Sequence, residues 1–285
     1  MSAAFLITLR EGLEISIVLA ILLGYLVKSG RSDRMGSVWV GAGTAVAVCL
    51  ITGLLFHAIV GEFEGKAEQA IEGSLALAAA LVLTWMILWM RKNARNMSGD
   101  LRSKVDGAAS ARAIMLIAFV AVAREGFETV LFLLGAETGN ASGAQVIVGG
   151  LLGLAVSALV GVLVYRFGKN IDLRVFFRIT GVLLIVFAAG LVGKAFHEFR
   201  ELLELEGGWL FQPAWTITSG PLATGTFYDF LSGLFGWSSD PERIRVLAYV
   251  GYLVPVLWLF LRPDSPKTRI TPDSTARVAS GVTGS

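Results

Sequence analysis

The sequence predicts an all-α integral membrane protein with seven transmembrane helices, the N-terminus outside and the C-terminus inside. Three observations carry this. Of 285 residues, 55% are hydrophobic and only 16% charged, which is too apolar for an ordinary soluble domain. Seven apolar segments approach or exceed the roughly 20 residues a helix needs to cross the bilayer core. A charged pentad inside the first segment returns almost unchanged inside the fourth.

The segments cover about 3–27, 36–60, 69–90, 113–135, 144–165, 176–196 and 244–261. Runs of this length read as helices, because lipid offers backbone groups no partner beyond their own segment. The first is expected to be a retained helix rather than a signal peptide. No basic stretch precedes it, and Arg10, Glu11 and Glu14 break what would be its apolar core. The loops after segments one, three and five, with the C-terminal tail, hold seventeen of the 24 basic residues. The opposite side holds five, and the last two, Arg10 and Arg124, lie within helices. The positive-inside rule then sets the orientation. The opposite loops are acidic, including Glu62, Glu64, Glu68, Glu72, Glu198 and Glu201. That bias reads either as a plain lack of basic residues or as a surface that concentrates cations.

The long connection at 197–243 carries three tryptophans, and its TFYDFLSGLFGW stretch reads as an interfacial helix. The Ser-, Thr-, Pro- and Arg-rich tail, 263–285, is expected to be disordered and cytoplasmic. A single cysteine, Cys49, excludes an intrachain disulfide framework and makes a thiolate metal site a poor fit. A net charge of +2 gives no sign of a nucleic-acid partner.

Aligning Arg10 with Arg124 superposes REGLE (10–14) on REGFE (124–128) and matches Ala4 with Ala118, Phe5 with Phe119 and Leu19 with Leu133. The predicted orientation runs helix 1 inward and helix 4 outward. Residues 3–91 and 113–198 are therefore expected to be inverted repeats, with helix 7 (244–261) appended. Inverted repeats with polar groups near mid-membrane are a transporter signature.

Each pentad is compact on its helix. At about 100° per residue, Glu11 lies about 100° and Glu14 about 40° from Arg10, so all three share a face. Arg124, Glu125 and Glu128 do the same. Gly12 and Gly126 leave room for a neighbouring helix or an ion. A charge within the membrane costs about 2.5–3.5 kcal/mol or more, so these six must face one another or a wet cavity. Four carboxylates against two guanidiniums leave two negative charges in excess. That surplus suits a multivalent cation held by Glu11, Glu14, Glu125 and Glu128, with Arg10 and Arg124 orienting and balancing them. All donors are hard oxygens, which favours Ca, Mg, Mn or ferric iron over Cu(I) or Zn. Read alone, the pairs could also be interhelical clamps, although buried ion pairs stabilise poorly against apolar packing.

Secondary candidates lie on the outer side. Glu68 and Glu72 form either a favourably acidic helix start or a metal-collecting point. His197, Glu198 and Glu201 form either a polar helix exit or a metal site, since His and Glu at i, i+4 share a face. Helix 5 repeats small residues at Gly149, Gly153, Ser157 and Gly161, a packing face within the fold or between protomers.

The two pentads, EGSLALAAALVLTWMILWMR (72–91) and TGVLLIVFAAGLVGKAFHE (180–198) resemble the oxidase-dependent iron transporter family of fungal and bacterial high-affinity iron permeases. The likeness covers about residues 1–262. It implies seven helices in the plasma membrane, the inner membrane of a bacterium. It also implies inward transport of iron as substrate, glutamates that handle the ion, and no resident cofactor. The expected partners are an extracytoplasmic iron-binding lipoprotein and a haem peroxidase or ferroxidase; a homo-oligomer is compatible. Ferric iron fits the all-oxygen donor set. The alternatives are a permease for lead or manganese, an intramembrane di-metal oxidase and a seven-helix receptor. The oxidase would lack the Glu-x-x-His pattern of bundle di-iron sites. A retinal receptor would lack a lysine in its last helix, and the inverted repeat argues against receptors in general.

Overall fold

Every apolar segment folds as a helix, because a chain in lipid satisfies its backbone only within the segment. The computed structural model describes residues 2–60, 63, 65–93, 103, 107, 110–137, 143–167, 173–205 and 207–262. Among them are eight α-helices: α1 (Ser2–Lys28), α2 (Met35–Val60), α3 (Lys66–Asn93), α4 (Ala111–Glu137), α5 (Gly143–Phe167), α6 (Leu173–Leu202), α7 (Thr226–Phe235) and α8 (Arg243–Leu261). The helix expected in the long connection is α7. Glu62, Glu64 and the 263–285 tail lie outside the described residues.

Four described stretches are long and apolar enough to cross a membrane: Ser32–Ile59, Lys66–Arg91, Arg178–Leu202 and Arg243–Leu261. In α1 and α4 the pentads interrupt the apolar run; in α5 it spans Val146–Val162. Large apolar side chains face outward along α2 (Leu50, Ile51, Leu54, Leu55) and α5 (Ile147, Leu151, Leu159). Arg10, Glu11, Glu14, Glu125 and Glu128 are buried instead. Such an inside-out distribution fits lipid on the outside, since apolar patches this broad are not left in water.

Packing joins the two halves of the chain. The broadest contacts are α1 on α5, α2 on α4 and α3 on α6, with α8 against α6. Exchanging the halves carries α1/α5 into α4/α2 and α3/α6 into itself. Small residues make this possible. A Cβ on Gly153 would sit 2.1 Å from Thr8 Oγ1, and one on Gly161 2.6 Å from Ser16 Cβ. The small-residue stripe of α5 is therefore spent within the fold, against α1. On the other side, a Cβ on Gly41 would meet the Met115 carbonyl oxygen at 2.2 Å. The largest apolar core gathers Ile7, Leu83, Met86, Phe132, Leu184, Ile185 and Leu191 from α1, α3, α4 and α6.

The connection before α8 is ordered by aromatics and backbone bonds. Trp215 stacks on Trp237 at 5.4 Å, and the Trp237 indole donates to the Leu222 carbonyl at 3.0 Å. Helix α7 ends at Gly236, whose positive φ of 66° a side chain would strain. Gly236 rests on Gly190 of α6, where a Cβ would meet its Cα at 2.8 Å. Ser2, at the start of α1, donates to the Phe230 carbonyl of α7 at 3.4 Å.

Candidate functional site

Helices α1 and α4 meet at their pentads, each brought in by a glycine. A Cβ on Gly12 would lie 2.2 Å from Ser157 Oγ of α5, and one on Gly126 2.6 Å from Cys49 Sγ of α2. Neither approach tolerates a larger residue without movement. Both pentads are thereby pressed towards each other by the helices behind them.

Glu11, Glu14, Glu125 and Glu128 are all buried, Glu11 to 1% exposure. Carboxylate oxygens of Glu11, Glu14 and Glu125 lie within 4.8 Å of one another. Arg10 sits at the longer end of ion-pair range from its own glutamates: Nη1 is 3.7 Å from Glu11 Oε1, and Nε is 3.4 Å from Glu14 Oε1. Arg124 holds Glu128 more tightly, its Nε donating to Oε1 at 3.1 Å, and stands 3.8 Å from Glu125. The halves are therefore not equivalent. Three carboxylates converge, while the fourth is tied to an arginine.

Five buried carboxylate oxygens of the four glutamates have no hydrogen-bond partner: both of Glu11 and one each of Glu14, Glu125 and Glu128. An unsatisfied buried acceptor costs about 1–3 kcal/mol, and more when charged. Converging negative groups add repulsion. A hard cation relieves both penalties at once, and the donor set is wholly oxygen.

The arginines also differ in surroundings. The Arg10 side chain is 3% exposed, and its Nη2 donates to Met90 Sδ at 3.0 Å. The Arg124 side chain is 40% exposed, and its guanidinium lies 5.0 Å from the centre of the Trp89 ring. Sequence reasoning gave Trp89 and Met90 no role. Their only sequence signal is an aromatic and a thioether on the last turns of α3.

Four of the five secondary candidates, Glu72, His197, Glu198 and Glu201, do assemble, but around cations of the protein itself. Lys194 donates to Glu72 at 2.9 Å and lies 3.8 Å from Glu198. His197 pairs with Glu242 at 2.9 Å and with Glu201 at 3.5 Å. Gln69 donates to Glu201 at 3.2 Å, and Arg200 lies 3.5 Å from both Glu201 and Glu242. Glu68 is exposed on the first turn of α3, apart from this network. Burial opposes ionisation of the Glu242 carboxyl, but His197, the helix-end backbone and Arg200 together hold it down at about 2. Lys194 is one of the five basic residues that the sequence places on the side of the acidic loops. A lysine flanked by Gly-Leu-Val-Gly and Ala-Phe was the available signal for a buried partner.

Comparison with known proteins adds an independent line. The model of the iron permease FTR1 family matches residues 1–261. The ferrous iron permease EfeU of Escherichia coli O6:H1 (strain CFT073) is 36% identical over 270 residues, covering 92% of this chain and 96% of that one. The proteins of the same name from Yersinia pestis and Shigella sonnei are likewise 36% identical, covering 94% and 96% of their own lengths. No solved structure matches the chain.

Proposed function

The chain belongs to the iron permease FTR1 family, and from that premise we propose that iron crosses the membrane between α1 and α4, held in passing by Glu11, Glu14, Glu125 and Glu128. The relatives are permeases, so the chain is a membrane transporter of iron rather than an enzyme. The observation that carries the assignment is the set of five buried carboxylate oxygens, drawn from both pentads, that have no hydrogen-bond partner, only two of which lie in ion-pair range of Arg10. Arg10 and Arg124 balance part of that charge and aim the carboxylates. The exchange of α1/α5 with α4/α2 supports the inverted repeat, and the basic loops support the N-out, C-in orientation of seven spans in the plasma membrane. The resemblance further suggests an extracytoplasmic lipoprotein and a haem peroxidase or ferroxidase as partners.

Two readings of the ion each have support. The hard, all-oxygen cluster favours Fe(III), whereas the relatives carry the name ferrous iron permease. Presenting the two ions separately distinguishes them. Outer Glu68, Glu72, His197, Glu198 and Glu201 remain a proposed collecting point, to be reached only if iron displaces Lys194 and Arg200. Glu11→Ala and Glu128→Ala should each abolish iron uptake by cells while leaving the protein inserted at normal levels. Normal uptake by both variants would refute the site.

A further inference from the structure

Two adjacent residues of α3 touch the arginines of both pentads, one each. Met90 accepts a hydrogen bond from Arg10 Nη2 at 3.0 Å, and the Trp89 ring lies 5.0 Å from the Arg124 guanidinium. We propose that Trp89 and Met90 are positioning residues of the permease: one turn of α3 sets where both guanidiniums stand relative to the four glutamates, without neutralising either. The proposal rests on the reading of those glutamates as the iron-handling site.

The chemistry of the anchors is the argument. A guanidinium beside a carboxylate cluster will collapse onto it and quench the charge an incoming cation needs. A third acid would hold the arginine back but would compete for the same cation. A thioether and an indole face hold it without competing for a hard cation. The indole face attracts a cation through its ring quadrupole and the thioether through its polarisable sulfur, and neither carries a charge. The distances follow this division of labour. Arg10, anchored by Met90, stays 3.7 Å and 3.4 Å from Glu11 and Glu14, and its buried Nη1 keeps no hydrogen-bond partner. The oxygens of Glu11, Glu14 and Glu125 are left open to one another. Arg124 spans the ring and Glu128, so its position is fixed from both sides. The anchoring turn is itself stiff. Trp85 stacks on Trp89 at 6.3 Å, and Met90 is packed in the core with Met86 and Ile87. A single turn of α3 serving both arginines also departs from the symmetry of the two halves, in which each repeat would supply its own.

The test uses the full-length protein in proteoliposomes, with initial rates of ferrous iron uptake, and of ferric iron as citrate, measured against concentration. Replacing Met90 by Leu keeps the packing and removes the acceptor; Met90→Gln supplies an acceptor at a cost in packing. Positioning predicts that Met90→Leu raises KM severalfold with Vmax largely kept, and that Met90→Gln returns KM towards wild type. A purely structural role predicts the reverse order. For the neighbouring position, Trp89→Leu should raise KM about fivefold, the size of a partly shielded cation–π contact, with Trp89→Phe close to wild type. An unchanged KM in Met90→Leu and Trp89→Leu, or equal defects in Trp89→Phe and Trp89→Leu, overturns the proposal. Glu14→Ala serves as reference. If it is inactive while the α3 variants behave as wild type, the anchoring alone fails; if it transports normally, the site itself fails and the anchoring with it.

Discussion

A hydrogen atom in place of a side chain decides how close α1 and α4 come to their neighbours. Gly126 faces Cys49 so tightly that a Cβ would sit 2.6 Å from Sγ and 3.2 Å from the Cys49 Cβ. Gly126→Ala should therefore destabilise the protein by about 1–3 kcal/mol, as overpacking does, and push the REGFE glutamates off line. The companion change Cys49→Gly should restore much of the loss. Thermal unfolding of the detergent-solubilised single and double variants measures both effects. A fully tolerated Gly126→Ala would mean that the approach of α2 to α4 has slack. The glycines were legible in the sequence as space for a neighbour. Which neighbour was not, because that depends on helix pairing between residues more than 70 positions apart.

Among the helices, the start of α3, the end of α6 and the start of α8 are joined by charge. Lys194 of α6 is 14% exposed and binds Glu72 of α3, so Lys194→Met leaves the partly buried carboxylates of Glu72 and Glu198 without their cation. Removing the partner of a largely shielded hydrogen-bonding group costs about 1–3 kcal/mol. Adding Glu72→Gln should recover part of it, and a denaturation series on the three variants would show the coupling. The His197–Glu242 contact makes a second clasp, between α6 and the start of α8. Its pH dependence has a definite sign. The Glu242 carboxyl is held at about 2, below its ordinary 4.5, so its contribution is complete above about pH 4.5 and lost as pH falls through 2. Wild type should melt above Glu242→Gln at pH 7, and the difference should shrink as pH drops from 4.5 towards 2. A gap independent of pH would assign the effect to shape instead of charge. Sequence spacing found these acids but not their partners. For Glu72 the cation comes from a different helix, and only the fold brings it to Lys194.

Across the whole molecule, composition and segment length located the long helices α1 to α6 and α8 among the described residues, four stretches of which are long and apolar enough to cross a membrane, and the repeated pentad pointed to α1 and α4, whose glutamates do come together. The site's inequality was not legible. REGLE and REGFE differ at one position, Leu13 against Phe127, yet Arg10 is 3% exposed and Arg124 40%. Orientation belongs to this scale as well. With the N-terminus out, a cysteine introduced at residue 30 in a Cys49→Ala background should resist membrane-impermeant thiol reagent in whole cells, and one at residue 65 should react. The opposite pattern would invert the topology and turn the outer acids inward. The central claim, that iron passes the four-glutamate cluster, is tested most directly by iron uptake into liposomes holding purified wild type or Glu14→Ala, with Fe(II) and Fe(III) presented separately. The account predicts accumulation of at least one ion by wild type and none above empty liposomes by Glu14→Ala, although the variant purifies and inserts equally well. Accumulation at the wild-type rate by Glu14→Ala would contradict it.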